Sequence, residues 1–373
     1  MSNTSPQKIP FVDLGWQHRQ IEAEVAAGFA DVLGRTAFIE GAEVAAFETA
    51  FADYCGTGHC LGVANGTDAI ELALRAGGIG PGDEVILPTN SFVATAEAVV
   101  RAGAVAVMVD VDDRYLLLDP AAVTAAITPR TAAVIAVHLF GQLAPMTELM
   151  ALCARHGLLL VEDAAQSQGA RQGGVAMGNF GRVAATSFYP GKNLGAYGDG
   201  GAVLTNDAEL AATVRCLRNH GSERKYVHSM IGMNSRLDTL QAVALNAKLA
   251  RLESWNQLRR DAAARYEDLL GTVTGVRTPA TAPGNVHVWH LYVTRVAERD
   301  RVLAAMEADG VGVGIHYPQP IHLQPAFAAL GDHAPAPVAE AAAAELLSLP
   351  LFPGITAAQQ ERVVESLHKA VLA

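Results

Sequence analysis

The sequence has few of the features that mark secreted, metal-binding or membrane proteins. Its 373 residues include four cysteines, with no C-x-x-C pair and no nearby histidine at metal-ligand spacing. No run of about 18 uninterrupted apolar residues occurs, and the first residues, MSNTSPQKIP, lack the basic stub and apolar stretch of a secretion signal. These absences predict a cytoplasmic protein without a metal site. We expect the cysteines to be reduced and structural: Cys55, Cys60, Cys153 and Cys216.

Positive charge is also scarce, with 27 Lys and Arg against 38 Asp and Glu, a formal net charge of -11 and a pI near 5.5. An acidic surface does not attract nucleic acid or an anionic membrane, so neither is an expected partner. Half of the residues are hydrophobic and only 17% are charged, a composition that buries a large core. Any phosphate that this protein binds must therefore be held by a local site.

An alternation of strand-like and helix-like segments runs from about residue 60 to residue 205. Short apolar runs such as LGVAN, DEVILP and LLLVEDAA alternate with Ala-rich segments of helical period such as TDAIELALRA. This rhythm predicts an α/β domain with a mostly parallel sheet, whose ligand-contacting residues lie where strands end and helices begin.

The pattern changes after residue 235, where RLDTLQAVALNAKLARLESWNQLRRDAAARYEDLL contains no Gly or Pro. Such a segment predicts one long helix between two domains, a large domain at 1–245 and a smaller α/β domain at 246–373. In the smaller domain, VHVWHLYVTRV and VGVGIHYP are predicted strands, and DRVLAAMEADG is a predicted helix closed by Gly310. HAPAPVAEAAAAE is interpreted as a loop followed by a helix.

The first candidate site is the turn Asn65-Gly66-Thr67-Asp68-Ala69, which follows the strand LGVA and opens a helix. Small residues there leave backbone N–H groups and the Thr67 hydroxyl free to bind an anion, and the helix dipole favours negative charge. The turn matches neither G-x-x-x-x-G-K-[ST] nor G-x-G-x-x-G, so it does not indicate an NTPase or a dinucleotide site. The alternative is an ordinary strand-to-helix turn capped by Thr67 or Asp68.

The second candidate is Asp163, which ends the apolar run LLLVED and so should lie at the carboxyl edge of the sheet. A buried carboxylate needs a cationic partner, and a protonated pyridine nitrogen is one. A helix cap is the competing interpretation.

The third candidate is Lys192, in the loop SFYPGKNLGAYGDGG, where it has no neighbouring Lys or Arg. Partial removal of water would lower the pKa of the amine and make it a nucleophile suited to imine chemistry. The competing interpretation is a solvated surface lysine.

A phosphate-binding turn, an acid at a strand end and a lysine, in this order, are typical of fold-type-I pyridoxal-phosphate enzymes. The chain resembles the DegT/DnrJ/EryC1/StrS family of sugar aminotransferases almost from end to end. The matching segments are PFVDL, NGTDA, PTNSFVATAEAV, VHLFGQ, VEDAAQSQGA, SFYPGKNLGAYGDGGA, LRNHG, GMNSRLDTLQA and HYPQPIHLQPAF.

The resemblance implies that pyridoxal phosphate is bound as a Schiff base to Lys192, with Asp163 paired to its ring nitrogen. It also implies a homodimer with shared sites, in which Asn234 reaches the phosphate of the neighbouring subunit. The remaining implied cofactor contacts are Gly66, Thr67 and Ser187 at the phosphate, Phe92 on the ring and Gln166 near the 3-hydroxyl. Without the resemblance, Phe92 would be interpreted as core, and Gln166 and Asn234 as ordinary polar groups of a helix or loop.

The family implies glutamate as amino donor and a nucleotide-linked 3- or 4-keto-6-deoxyhexose as acceptor. A diphosphate needs cations, and one local basic cluster is a candidate, although a solvated loop is equally consistent with it: Arg218, His220, Arg224 and Lys225. The tail resembles the branch that aminates C3, which implies four sugar contacts: Tyr189, His316, Tyr317 and His322.

Four alternatives remain open from the sequence. A dehydratase branch of the family carries histidine in place of the lysine, so the presence of Lys192 favours transamination. A 4-keto-sugar enzyme and a cyclitol aminotransferase share the same core. A non-catalytic regulatory protein on the same fold would have little reason to retain Lys192, Asp163 and the phosphate turn together.

Overall fold

The computed structural model describes residues 8–331 and 333–373. Residues 1–7, part of the segment used to judge a secretion signal, lie outside the described residues. The helices are α1 Leu14–Arg35, α2 Ala42–Cys55, α3 Gly66–Ala76, α4 Ala94–Arg101, α5 Pro120–Ala126, α6 Met146–His156, α7 Ala208–Leu217, α8 Thr239–Leu249, α9 Leu252–Leu270, α10 Arg299–Ala308, α11 Pro325–Ala328, α12 Pro337–Glu345 and α13 Ala357–Leu372. Short 3-10 turns occur at Leu139–Gly141 and Ile321–Leu323.

The strands are β1 His59–Val63, β2 Glu84–Pro88, β3 Val105–Val109, β4 Thr131–Val137, β5 Leu159–Asp163, β6 Arg171–Gln172, β7 Val175–Ala176, β8 Val183–Ser187, β9 Gly201–Thr205, β10 Ser222–Arg224, β11 Val227–His228, β12 Val276–Arg277, β13 Asn285–Val286, β14 Tyr292–Val296 and β15 Leu346–Leu349. No helix in the described ranges is both long enough and apolar enough to cross a bilayer.

A seven-stranded sheet in the order β1-β9-β8-β5-β4-β2-β3 forms the centre of the fold. The strands β8, β5, β4, β2 and β3 are parallel, whereas β9 runs antiparallel to both of its neighbours. The predicted α/β architecture with a mostly parallel sheet is confirmed. Since successive parallel strands end at the same edge, the residues after β2, β5 and β8 come together there.

The sheet is covered on both faces, which explains its nearly continuous apolar strands. In β2, Val85 and Leu87 join one buried cluster, while Ile86 between them joins the cluster on the opposite face. Burying each such side chain contributes about 1.5–3 kcal/mol. The apolar core therefore holds the strand ends, and the polar residues on them, in fixed positions.

The predicted single long helix is in fact two helices, α8 and α9, separated at Ala250 and Arg251. Arg251 has φ -115°, outside the helical range, and its N–H donates to the Lys248 carbonyl rather than continuing the α-helical pattern. The start of α9 still shares the core of α8 and α1, because Trp255 packs there with Val243, whereas Tyr266 further along α9 packs in the C-terminal core. The break lets α9 turn from the first core to the second, and uniform helical composition does not reveal it.

The C-terminal part is built on the antiparallel sheet β12-β14-β15 with α9, α10 and α13. The predicted strand VHVWHLYVTRV is interrupted, since β13 ends at Val286 and β14 begins at Tyr292. The segment VGVGIHYP is not a strand but makes isolated bridges, Val311 with Ile9 and Gly314 with Ser348. The first prediction is confirmed over Tyr292–Val296 and wrong at Val288, which packs in the core of the central sheet. The second was wrong because Val311 packs in the C-terminal core and its segment makes only single bridges.

Two other C-terminal predictions are confirmed. Helix α10 ends at Ala308, and Gly310 just beyond it has φ +81°, a conformation that glycine adopts without strain. A loop precedes α12, which begins at Pro337, where the missing N–H of proline costs nothing.

Candidate active site

Asp163 is the last residue of β5 and is only 5% exposed. The Thr95 hydroxyl donates to its Oδ2 over 2.8 Å, and the Ala165 N–H donates to its Oδ1 over 3.2 Å. Burial raises the pKa of the carboxyl group, while these bonds and the charges of Lys192 and His138 oppose the rise. A turn follows Asp163 rather than a helix, so the helix-cap interpretation was wrong.

Lys192 lies in the loop between β8 and β9, and its backbone N–H donates to the Tyr189 carbonyl over 2.8 Å. The loop is folded tightly, since a Cβ on Gly195 would lie 2.3 Å from the Pro190 carbonyl oxygen. Burial lowers the pKa of the amine to about 8, against the opposing charge of Asp163. Lys192 is therefore not a solvated surface lysine, and its charge and that of Asp163 interact within one site.

The turn at the start of α3 is capped by Asn65, whose side chain accepts from the Asp68 N–H over 2.8 Å. The alternative caps considered from the sequence, Thr67 and Asp68, do not cap the helix. Asp68 instead forms an ion pair with Arg101 at 3.2 Å. A Cβ on Gly66 would lie 2.6 Å from the Ser187 Cβ, so only glycine allows α3 to approach the end of β8 so closely. This contact brings Gly66, Thr67 and Ser187 to one helix N-terminus, a place that favours an anion.

Aromatic and amide side chains line the same edge of the sheet. The Phe92 ring is 54% exposed, so it is not a core residue, and its centroid lies 5.8 Å from that of Tyr317. Gln166 is buried: its Oε1 accepts from the Phe140 N–H over 2.6 Å, and its Nε2 donates to the Tyr317 hydroxyl over 3.0 Å. Burial raises the pKa of Tyr317, which keeps the phenol protonated.

His316 joins this group, because the charge of Lys192 acts on it. Burial, and to a smaller extent Lys192, lowers the pKa of His316 to about 4. Its Nδ1 lies 2.8 Å from the Ser348 hydroxyl, and its ring stacks on Phe11 with centroids 5.6 Å apart. The structure thus assembles His316 and Tyr317 with Lys192, Asp163 and Gln166.

Two other candidate substrate residues are engaged elsewhere in the protein. The buried Arg218 guanidinium donates to Glu48 over 2.6 Å and to the Gly62 carbonyl over 2.7 Å. His322 is buried between Thr89, 2.6 Å from its Nδ1, and Glu340, 3.1 Å from its Nε2. Both side chains connect parts of the fold through these bonds.

The remaining candidates lie on the surface. Tyr189 is 60% exposed. The others are exposed in and around the hairpin β10–β11: His220, Arg224, Lys225 and Asn234.

Sequence reasoning missed Thr95, Asn193 and His290. Thr95 orients Asp163 from α4, and no local pattern connects two residues so far apart in the chain. The charge of Lys192 also acts on the pKa of His290. In the sequence, His290 is one of two histidines in a predicted strand, and no local pattern links it to Lys192. Across the described ranges, no group of three or more His, Cys, Asp or Glu residues has the arrangement of a metal site.

Comparisons with known proteins identify the family of the chain. The model of the DegT/DnrJ/EryC1/StrS aminotransferase family matches residues 19–368. The dTDP-3-amino-3,4,6-trideoxy-alpha-D-glucose transaminase of Streptomyces venezuelae is 46% identical over 371 residues, covering 99% of this chain and 97% of that protein. The chain belongs to the DegT/DnrJ/EryC1/StrS aminotransferase family.

Solved structures extend the comparison. S. venezuelae DesV, in complex with a ketimine intermediate, superposes with a TM-score of 0.94 at 46% identity, covering 97% of this chain and 98% of that one. NtdA from Bacillus subtilis, with bound cofactor PMP, has a TM-score of 0.92 at 30% identity, covering 100% and 87%. The protein is a pyridoxal-phosphate-dependent sugar aminotransferase.

Proposed function

We propose that this enzyme transfers the amino group of glutamate to C3 of a nucleotide-linked keto-6-deoxyhexose. The observation that carries the proposal is the meeting of Lys192 and Asp163 in one buried site with His316 and Tyr317 beside them. The S. venezuelae relative is named as a transaminase of a dTDP-linked 3-amino sugar, which supports the sugar class and the position.

The residues at the sheet edge fit the cofactor. Gly66 and Ser187 approach so closely that a Cβ would obstruct the turn, and the helix N-terminus beside them suits a phosphate. Asn90, just beyond β2, has a buried Nδ2 without a hydrogen-bond partner in the described part of the chain. Because buried donors are normally hydrogen-bonded, this atom is available to a polar ligand. In this proposal Gly66, Thr67 and Ser187 bind the phosphate.

When bound, pyridoxal phosphate supplies an electron sink for the carbon that gains or loses a proton. Asp163, which accepts a hydrogen bond from Thr95, would keep the proton on the pyridine nitrogen. Phe92 has an exposed aromatic face that would stack on the ring, and Gln166 would lie near the 3-hydroxyl.

Lys192 is the residue that would hold the cofactor covalently, and its neutral amine would move the proton at the substrate carbon that carries the amino group. Its pKa of about 8 leaves a substantial neutral fraction at physiological pH. A base is most effective when its pKa is near the working pH, so burial suits Lys192 to this role.

For the sugar, we assign contacts to Tyr189, His316 and Tyr317. The neutral His316 and the protonated Tyr317 offer uncharged hydrogen-bonding groups, which suit hydroxyl and keto oxygens. The exposed cations Arg224 and Lys225 remain available to a diphosphate. Arg218 and His322 are not assigned to the sugar nucleotide, because Arg218 Nη1 is bonded to Glu48 and Gly62 and both ring nitrogens of His322 have partners in Thr89 and Glu340.

We further propose a homodimer with shared sites. Asn234 is exposed, as a residue that reaches a partner's phosphate must be. The adjoining hairpin exposes apolar side chains, with Tyr226 at 83% and Ile231 at 87%, and exposed apolar patches mark interaction surfaces.

Two further assignments belong to the proposal. Residues 1–245 would form the cofactor-binding domain and residues 246–373 the smaller one, a division supported by the separate C-terminal core. A cytoplasmic location is supported by the four buried, free cysteines, since oxidising compartments favour disulfides.

One experiment tests the activity and the acceptor together. The visible spectrum of the purified enzyme is recorded, glutamate is added, and candidate acceptors are then supplied one at a time: nucleotide-linked 3-keto sugars, their 4-keto isomers and keto-inositols. The proposal predicts that glutamate bleaches the cofactor band and that a 3-keto sugar restores it. Restoration by a 4-keto sugar or a keto-inositol alone would overturn the substrate assignment, and no response to glutamate would overturn the activity.

A further inference from the structure

Three side chains, Asn256, Asn193 and His290, form a chain of hydrogen bonds that ends beside Lys192. Asn193 Nδ2 donates to Asn256 Oδ1 over 2.9 Å, and Asn193 Oδ1 lies 3.3 Å from His290 Nδ1. Both asparagines are buried. Asn193 directly follows Lys192 in the chain, so His290 bonds the residue next to the proposed catalytic lysine, and the charge of Lys192 acts on its pKa.

Two backbone carbonyls determine the direction of these hydrogen bonds. Asn256 Nδ2 donates to the Gln168 carbonyl over 2.9 Å, and Asn193 Nδ2 donates to the Val288 carbonyl over 2.9 Å. Because a carbonyl oxygen only accepts, neither amide can be flipped without placing oxygen against oxygen. The oxygen of Asn193 must therefore face His290, and the hydrogen between them must belong to His290 Nδ1.

This arrangement leaves His290 with its hydrogen on Nδ1 and a bare lone pair on Nε2. Two other buried histidines have the opposite arrangement, because their Nδ1 atoms accept backbone N–H groups: His138 from Ala144 over 3.2 Å and His287 from Trp289 over 2.9 Å. His290, which is partly exposed, thus differs in its tautomer from the buried His138 and His287.

The backbone around His290 is held at both ends. The Val288 N–H donates to the Gly141 carbonyl over 2.9 Å, and the Leu291 N–H donates to the Phe140 carbonyl over 3.3 Å. A Cβ on Gly141 would lie 2.9 Å from the backbone nitrogen of His290, so only glycine lets the two backbone segments approach so closely. The ring is therefore fixed by its hydrogen bond and by its backbone.

The environment of His290 also keeps it uncharged. Burial lowers the pKa of His290 well below its ordinary value, and the nearby charges of Lys192, Arg259, His316 and His287 lower it further. A neutral ring adds no second positive charge beside Lys192.

We propose that His290 is a positioning residue: held as the Nδ1–H tautomer by Asn193, it offers Nε2 as an acceptor to the Lys192 amine and so directs the amine's lone pair. The inference rests on the proposed role of Lys192 in proton transfer. Asn193 and Asn256 act through His290, and none of the three needs to touch the sugar.

The tautomer is measured directly by neutron diffraction from deuterium-exchanged crystals of the cofactor-loaded enzyme. We expect deuterium on Nδ1 of His290 and on Nε2 of His138 and His287, which serve as internal references. Deuterium on Nε2 of His290, alone or together with Nδ1, overturns the inference. This result does not depend on which acceptor the enzyme uses.

The positioning effect is measured in the glutamate half-reaction with His290→Leu and His290→Gln, since glutamine retains an acceptor and leucine does not. We expect His290→Leu to lower the rate constant roughly tenfold with little change in the KM for glutamate, and His290→Gln to recover part of the loss. Equal rates for the two variants, or a change confined to KM, contradict the role of His290 even if transamination itself is confirmed.

Discussion

Lys192 and Asp163, from a loop and a strand end 29 positions apart, share one site in which each charge shifts the pKa of the other. The carboxylate opposes the loss of the lysine's proton, and the ammonium opposes protonation of the carboxyl group. Burial has the opposite and larger effect on each pKa: it lowers that of Lys192 and raises that of Asp163. The pair is therefore balanced between charged and neutral states, which suits a site that binds a cationic ring and uses a neutral amine.

Replacing Asp163 by Asn should remove the charge that holds the pyridine nitrogen's proton. We expect the rate of the glutamate half-reaction to fall roughly 10²-fold or more, measured by stopped-flow absorbance. Thr95→Val keeps the carboxylate but removes the hydrogen bond to Asp163 Oδ2 and the one that joins the Thr95 and Ser91 hydroxyls, so the rate should fall nearer tenfold. An Asp163→Asn enzyme as fast as the wild type would show that the carboxylate does not contact the ring.

The phosphate turn can be tested with a matched pair of glycine substitutions. Gly66→Ala places a Cβ 2.6 Å from the Ser187 Cβ, which must open the turn, and we expect the Kd for pyridoxal phosphate to rise at least tenfold. Gly34→Ala is the control, because its Cβ would meet nothing within 4 Å. An unchanged Kd for Gly66→Ala would place the phosphate elsewhere.

The reaction of the apoprotein with pyridoxal phosphate should depend on pH through Lys192. Only the neutral amine attacks the aldehyde, so the rate should rise with pH, reach half its maximum near pH 8 and then level off. An ordinary lysine would still be gaining reactivity near pH 10.4. Asp163 raises the pKa of Lys192, so Asp163→Asn should move the half-point below 8. A half-point near 10 in the wild type would mean that the amine is solvated.

Arg218 should behave as a scaffold residue. Arg218→Met leaves Glu48 without its ion partner in a largely buried position, and breaking such a pair costs about 3–5 kcal/mol. We expect the free energy of unfolding, measured with urea, to fall by about this amount while the KM for the sugar nucleotide stays unchanged. Arg224→Ala, on the exposed hairpin, should give the converse result: unchanged stability and a raised KM.

The sequence predicted those candidate site residues whose neighbours in the chain carried the information. Asp163 was predicted because an apolar strand ends at it, and Lys192 because its loop is rich in glycine and aromatic residues. Arg218 and His322 showed the limit of this approach, because their partners Glu48 and Thr89 lie 170 and 233 positions away. The break between α8 and α9 was not predicted for a related reason: it depends on the cores against which the helices pack, not on helix propensity.

The most direct test of the central claim is to fix the cofactor to the protein by reducing the loaded enzyme with sodium borohydride and then to map the peptides by mass spectrometry. The chain has four other lysines as internal controls: Lys8, Lys225, Lys248 and Lys369. We predict a single pyridoxyl adduct on Lys192, lost in Lys192→Ala. An adduct on another lysine, such as the buried Lys248, or no adduct at all, would contradict the account.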